Sequence, residues 1–122
     1  MSDTTDLSGV ADEAFCYLTT RGRVTGEPHE IEIWFALGAP STLYLLSGGR
    51  DGSDWVQNLI AEPAVVVRVQ DTTFGATARV LEPGTDEDTR ARALVFEKYD
   101  PGYDGSLASW RESALPVALD VR

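Results

Sequence analysis

The chain has one cysteine, one histidine and one lysine among its 122 residues. A lone Cys16 cannot form an internal disulfide, which fits a reducing, cytoplasmic setting. With His29 the only imidazole, the ordinary zinc ligand sets are excluded. Any nucleophile–histidine scheme would have to be built on His29, so no metal is expected. Basic charge is also scarce: ten basic residues face twenty acidic ones, a net charge of −10. Nucleic acids and anionic membranes need a basic footprint, so neither is an expected partner. Apolar runs such as residues 64–67 are too short to span a bilayer. The N-terminus lacks the basic start and apolar core of a signal peptide. Glycine and proline total only 17, which argues against low-complexity disorder. With 43% apolar and 25% charged residues, the composition is that of one globular domain.

What is present alternates with period two. Residues 14–20 are rich in strand formers. Residues 29–37 place Ile31, Ile33, Phe35 and Leu37 opposite Glu30, Glu32, Trp34 and Ala36. Residues 42–47 follow a short turn and read as the second arm of a hairpin. A nearly continuous β-branched run covers 64–70, and 73–82 and 115–121 alternate again. The spacing predicts helices from about 54 to 62, from 85 to 99, where Thr85 and Asp88 resemble a capping box, and from 106 to 113. Lys98 is expected to bury its stem on the second of these. Residues 1–8 are polar and expected to fray, within a partly disordered or helical N-terminal extension over 1–13. The expected fold is mainly β (α+β). It is a six-stranded antiparallel barrel, closed or half-closed over 14–122, with peripheral helices, because closure removes strand edges.

Two loops could hold an anion. Arg21-Gly22-Arg23-Val24-Thr25-Gly26 offers two guanidiniums, a hydroxyl and free backbone amides. Ser47-Gly48-Gly49-Arg50-Asp51-Gly52-Ser53 runs into a helix start and adds the charge of Arg50. Taken singly, each is more commonly an ordinary turn or an ordinary capped helix. Together they form a charge-neutral stretch, since residues 21–50 balance three arginines against three glutamates, whereas residues 82–104 carry a net −4. Aromatic Trp34, Tyr99, Tyr103 and Trp110 could wall a ring or simply fill the core. Glu30 and Glu32 read as a solvated face, His29 as a solvated or structural residue, and Cys16 as a small buried hydrophobe.

Leu18-Thr19-Thr20-Arg21-Gly22-Arg23-Val24-Thr25-Gly26-Glu27-Pro28 resembles the glycine-arginine segment of the deazaflavin-dependent nitroreductase family, within the flavin/deazaflavin oxidoreductases. Several further blocks resemble that family in the same order: residues 44–49, 54–59, Glu62-Pro63, 99–103, Trp110 and Pro116-Val117. The resemblance covers roughly residues 14–121. It implies a split β-barrel of the pyridoxamine-phosphate-oxidase type and coenzyme F-420, a deazaflavin with a phospholactyl-oligoglutamate tail. It implies cofactor contacts from Arg21, Arg23, Thr25, Ser47, Gly49, Arg50, Trp55 and Asn58. Tyr103 and Ser47 become candidate catalytic donors, and Trp34, Tyr99 and Trp110 candidate walls of the substrate pocket. The activity implied is hydride transfer to a quinone, an enone or a nitroaromatic compound. Val24 and Gly48 stand where many members carry basic residues, and Arg50 is expected to replace one of them. Two alternatives stay open: an FMN-binding flavoprotein on the same barrel, and a non-catalytic barrel for a small ligand. The assembly expected is a monomer or a homodimer.

Overall fold

The computed structural model describes residues 10–38 and 41–121. The fraying expected of residues 1–8, and most of the N-terminal extension, fall outside the described residues. Seven strands form one antiparallel sheet that curls into a half-barrel: β1 (Cys16–Arg21), β2 (Pro28–Ile33), β3 (Ala36–Gly38), β4 (Thr42–Ser47), β5 (Ala64–Val69), β6 (Thr72–Val80) and β7 (Leu115–Val121), in the order β2-β1-β5-β6-β7-β4-β3. Three helices accompany them: α1 (Asp54–Ala61), α2 (Asp86–Tyr99) and α3 (Ala108–Ser113).

The expectation of six strands is corrected at Trp34–Phe35, where the strand expected over 29–37 divides into β2 and β3. β2 pairs with β1, Leu18 opposite Ile31, whereas β3 pairs with β4, Ala36 opposite Tyr44. The inward alternation survives the break, because Ile31, Ile33, Phe35 and Leu37 all pack on the barrel core. What changes is the backbone partner. The Phe35 N–H donates to Tyr99 Oη (3.0 Å), and the Phe35 carbonyl accepts from Lys98 Nζ (2.9 Å). Helix α2 thus takes up the polar groups that a continuous strand would have given to a neighbour. A hydrophobic pattern reports which face a side chain uses, and it carries no record of such a change of partner.

β4 is buried on both faces. Leu43 and Leu45 point into the barrel with Leu18, Phe35, Val67, Val117 and Leu119. Tyr44 and Leu46 point outward under α2, against Ala91 and Val95. Ala91 and Val95 are four apart, so they share one helix face. The start of α2 is capped as the sequence suggests. Thr85 Oγ accepts the Asp88 N–H (3.1 Å), and the Asp88 carboxylate accepts the Gly84 N–H (3.0 Å). At the other end Lys98 lies with its ammonium over the Phe35 ring at 3.7 Å, and burial pushes its pKa down to about 8. Cys16 is fully buried in the barrel, and that burial pushes its thiol up to about 12.

Candidate functional site

The turn between β1 and β2 is held from within. Gly22 N–H donates to the Glu27 carbonyl (2.7 Å) and Gly26 N–H to the Gly22 carbonyl (2.8 Å). Gly26 has φ +78°, a conformation that side chains disfavour, so glycine belongs there. Arg21 Nη1 donates to the Gly26 carbonyl (3.0 Å), and Thr25 Oγ1 accepts the Glu27 N–H (3.3 Å). Arg21 is therefore a brace of the turn. Val24 at its tip is 89% exposed.

Arg23 leaves the turn and meets α1. Its Nη1 donates to Asn58 Oδ1 (2.8 Å), and its backbone N–H donates to the same oxygen (3.2 Å). Its Nη2 lies 3.3 Å from the Asp54 carboxylate, which is 87% exposed. Asn58 is buried, and its Nδ2 donates to the buried Thr20 Oγ1 (3.2 Å). Asn58 thus spends both ends of its amide on positioning: one on the β1 wall, one on Arg23. Thr20 carries a legible signal, a hydroxyl on the inward face of a strand whose other inward residues are Cys16 and Leu18. A polar group so placed needs a partner. Around Arg23 opens a cleft of about 670 Å³ lined also by Thr25, His29, Asp54, Trp55 and Asn58. The start of α1 faces Arg23, since Asp54 opens the helix and pairs with it.

The second loop serves a different end. Ser47 is buried, and its hydroxyl lies 3.0 Å from both the Arg50 carbonyl and Ser53 Oγ. It lines neither this cleft nor the aromatic cavity described next. A Cβ on Gly49 would meet Ser53 Oγ at 2.5 Å, so that glycine makes room for Ser53. Arg50 turns away from Arg23 and donates to the Ser113 carbonyl at the end of α3. The structure therefore brings Arg23, Thr25, Trp55 and Asn58 to one cleft, with Arg21 bracing its turn, and does not bring Ser47, Gly49 or Arg50 there.

The aromatic residues do converge. Trp34 stacks on Tyr99 with centroids 4.3 Å apart and planes 4° from parallel, and it meets Trp110 (5.8 Å) and Tyr103 (6.2 Å) edge-on. Trp34, Tyr103, Leu107, Trp110 and Ser113 line a second cavity of about 560 Å³. Tyr99 supports it from behind: its hydroxyl accepts from Phe35 N–H and has the Ala14 carbonyl at 2.8 Å and the Phe35 carbonyl at 2.9 Å. Burial pushes the Tyr99 phenol up to about 12. Tyr103 is 45% exposed, which leaves its edge available to a ligand. Among the described residues no group of three or more His, Cys, Asp or Glu is placed to hold a metal ion, and no helix is long and apolar enough to cross a membrane.

The antiparallel half-barrel thus carries an arginine-centred cleft and a separate aromatic cavity. The F420H(2)-dependent quinone reductase family matches residues 5–121, and the chain belongs to that family. An F420H(2)-dependent quinone reductase of Mycobacterium tuberculosis is 28% identical over 107 residues, which cover 86% of this chain and 71% of that protein. Among solved structures, an F420-H2 dependent reductase (FDR-A) is similar with a TM-score of 0.66 and 22% identity, covering 89% of this chain and 94% of that one. Another, described as a domain-swapped dimer, has a TM-score of 0.69 and 25% identity, covering 98% and 87%.

Proposed function

We propose that this protein is a coenzyme F-420-dependent reductase that passes a hydride from the reduced deazaflavin to a quinone or a related conjugated acceptor. The half-barrel is then the split barrel of the pyridoxamine-phosphate-oxidase type, and residues 14–122 are its cofactor-binding unit. One observation carries the reading. Arg23 is oriented by the buried Asn58 into an open cleft, and its only ionic partner among the described residues is an exposed carboxylate at 3.3 Å. A guanidinium held in place with unspent donors suits a phosphate. Thr25 adds a hydroxyl on the same wall, so this donor set fits the anionic tail of F-420. The matched family gives no support to FMN, and the surviving arginine cleft speaks against a barrel that binds without catalysing.

When bound, the reduced deazaflavin supplies the hydride. The chain's own part is to bind, orient and shield. Arg23 and Thr25 hold the tail, with Trp55 beside them. Trp34, Trp110 and Tyr103 form an aromatic slot for a planar acceptor, and Tyr99 keeps Trp34 flat. The Tyr103 hydroxyl is the donor for the negative charge that develops on the acceptor oxygen.

Titration with purified F-420, followed by fluorescence quenching, tests the binding step. Turnover of a naphthoquinone with reduced F-420 tests the reaction. Saturable quenching together with turnover is expected. No quenching at millimolar cofactor, or turnover with reduced FMN alone, would overturn the proposal.

A further inference from the structure

The 47–53 loop contains a residue whose conformation the local sequence does not favour. Arg50 has φ +54°, a region that glycine adopts freely and residues with a Cβ rarely occupy. Three glycines lie within two residues of it, at 48, 49 and 52, yet the left-handed position is filled by arginine. The side chain must therefore contribute something. Its guanidinium donates to the Ser113 carbonyl at the C-terminal end of α3, where a cation also meets the negative end of a helix. The Arg50 carbonyl accepts from Ser47 Oγ (3.0 Å), so the residue is fixed at both its backbone and its tip.

α3 carries Trp110 and ends at Ser113, and both line the aromatic cavity. Its last carbonyls are held from two directions. Arg92 of α2 donates to the Arg111 carbonyl (2.6 Å) and the Glu112 carbonyl (3.1 Å), and Arg50 takes Ser113. Gly48 forms a second contact of the loop with α3, since a Cβ there would lie 3.3 Å from Trp110 Nε1. At its other end the loop is fastened to α1: Gln57 Nε2 donates to the Asp51 carbonyl (3.0 Å), and Asp54, Trp55 and Asn58 line the Arg23 cleft. One short loop therefore sets the distance between the helix that faces the anion cleft and the helix that walls the aromatic cavity.

We infer that Arg50 is a positioning residue that holds α3, and with it Trp110, at a fixed separation from the Arg23 cleft, so that its role is to align the acceptor and not to bind the cofactor's anionic tail. This rests on the proposed reductase function. It reassigns a residue whose charge and glycine-rich setting would otherwise mark it as a phosphate contact.

The test compares Arg50→Gly, which suits the left-handed backbone but removes the latch, with Arg50→Lys, which keeps a donor. Three quantities are read in each: the F-420 dissociation constant, the KM and kcat for a naphthoquinone, and amide hydrogen exchange over 108–114 without cofactor. Arg50→Gly should lower kcat/KM for the quinone by about tenfold, as loss of alignment does, while the F-420 constant stays within about twofold. Exchange over 108–114 should quicken, and Arg50→Lys should recover most of both effects. An unchanged quinone kcat/KM in Arg50→Gly, or an F-420 constant that rises in proportion to its fall, would overturn the inference. Should wild type bind no F-420, the proposed function falls instead. The exchange measurement then still decides the latch, because unchanged protection of α3 in Arg50→Gly would refute it.

Discussion

Arg79 and Arg23 sit on the same acidic molecule and are spent differently. Arg79 on β6 has most of its donors committed. It grips Glu87 of α2 through two nitrogens (2.6 and 2.7 Å) and Asp120 of β7 through two contacts (2.6 and 3.1 Å). Those carboxylates are themselves bonded, Glu87 to Tyr44 Oη (2.8 Å) and Asp120 to Thr42 Oγ1 (3.0 Å). Four elements are tied by one guanidinium, and four of its five N–H donors are spent on carboxylates. Arg23 bonds a neutral amide, the Asp54 carbonyl at a long 3.5 Å and one exposed carboxylate at 3.3 Å, which leaves its Nε–H and one Nη2 N–H without a partner among the described residues. In a protein of net charge −10, the mark of a binding arginine is donors left over, held in a fixed direction.

Replacing each arginine breaks the comparison most directly. Arg23→Ala should weaken F-420 binding roughly tenfold to a hundredfold, ~1.5–3 kcal/mol, with little change in melting temperature. Arg79→Ala should leave the F-420 constant alone and lower stability by about 1 kcal/mol, a modest figure because the partners are partly exposed. Titration and thermal melts on both variants decide this, and a reversed pattern would refute it. Arg92→Ala would not be a neutral control for these variants. Its side chain is only 16% exposed and bonded to Asp88 and to α3, so the exposed Arg90→Ala serves better.

Asn58→Leu tests whether orientation matters as much as charge. It leaves Arg23 in place but unheld, and strands the buried Thr20 hydroxyl. F-420 affinity should fall by about tenfold, with a stability loss of about 1–3 kcal/mol from the unpaired group. Unchanged affinity would make Asn58 purely a core residue.

Asp54→Asn sharpens the contrast in the opposite direction. The Asp54 carboxylate competes with an incoming anion for Arg23, and its own exposed pair contributes little to folding. Removing its charge should tighten F-420 binding by roughly two- to fivefold at low salt, and the gain should shrink as salt rises. Weaker binding in this variant would show that Asp54 takes part in holding the cofactor.

The smallest effect is one of pH. The Arg79 guanidinium holds both Glu87 and Asp120 below their usual carboxylate range. Their folded pKa values lie under the unfolded ones, so their contribution to stability is complete above about pH 4.5. It is lost as pH falls through the lowered values. Melting temperature measured from pH 7 to pH 3 should therefore fall less steeply in Arg79→Gln than in wild type. Parallel curves would show that the network contributes nothing on titration.

The elements were largely readable from local chemistry. Thr85 and Asp88 announce the start of α2, Pro63 follows the end of α1, runs of strand formers mark β1 and β5, and alternation marks β6 and β7. The family resemblance carried by residues 18–28 and the later blocks agrees with the matched family. The β2–β3 division was not readable, because Phe35 continues the inward pattern while its backbone groups turn to Tyr99 and Lys98, more than sixty residues away. The separation of Arg23 from Arg50 was equally hidden. Both lie in glycine-rich loops of similar composition, and only the placement of Asn58 and Ser113 tells them apart.

The sequence by itself determined the mainly antiparallel strand pattern and the glycine-arginine turn at residues 21–26. Periodicity, turn residues and charge balance are properties of short stretches, and they act over a few bonds. Only the tertiary structure decided which groups are spent and which are free. Whether Arg23, Arg50 or Arg79 has donors to offer depends on acceptors at 58, 113, 87 and 120. A hydrogen bond is satisfied by what lies within about 3 Å in space, at whatever distance along the chain.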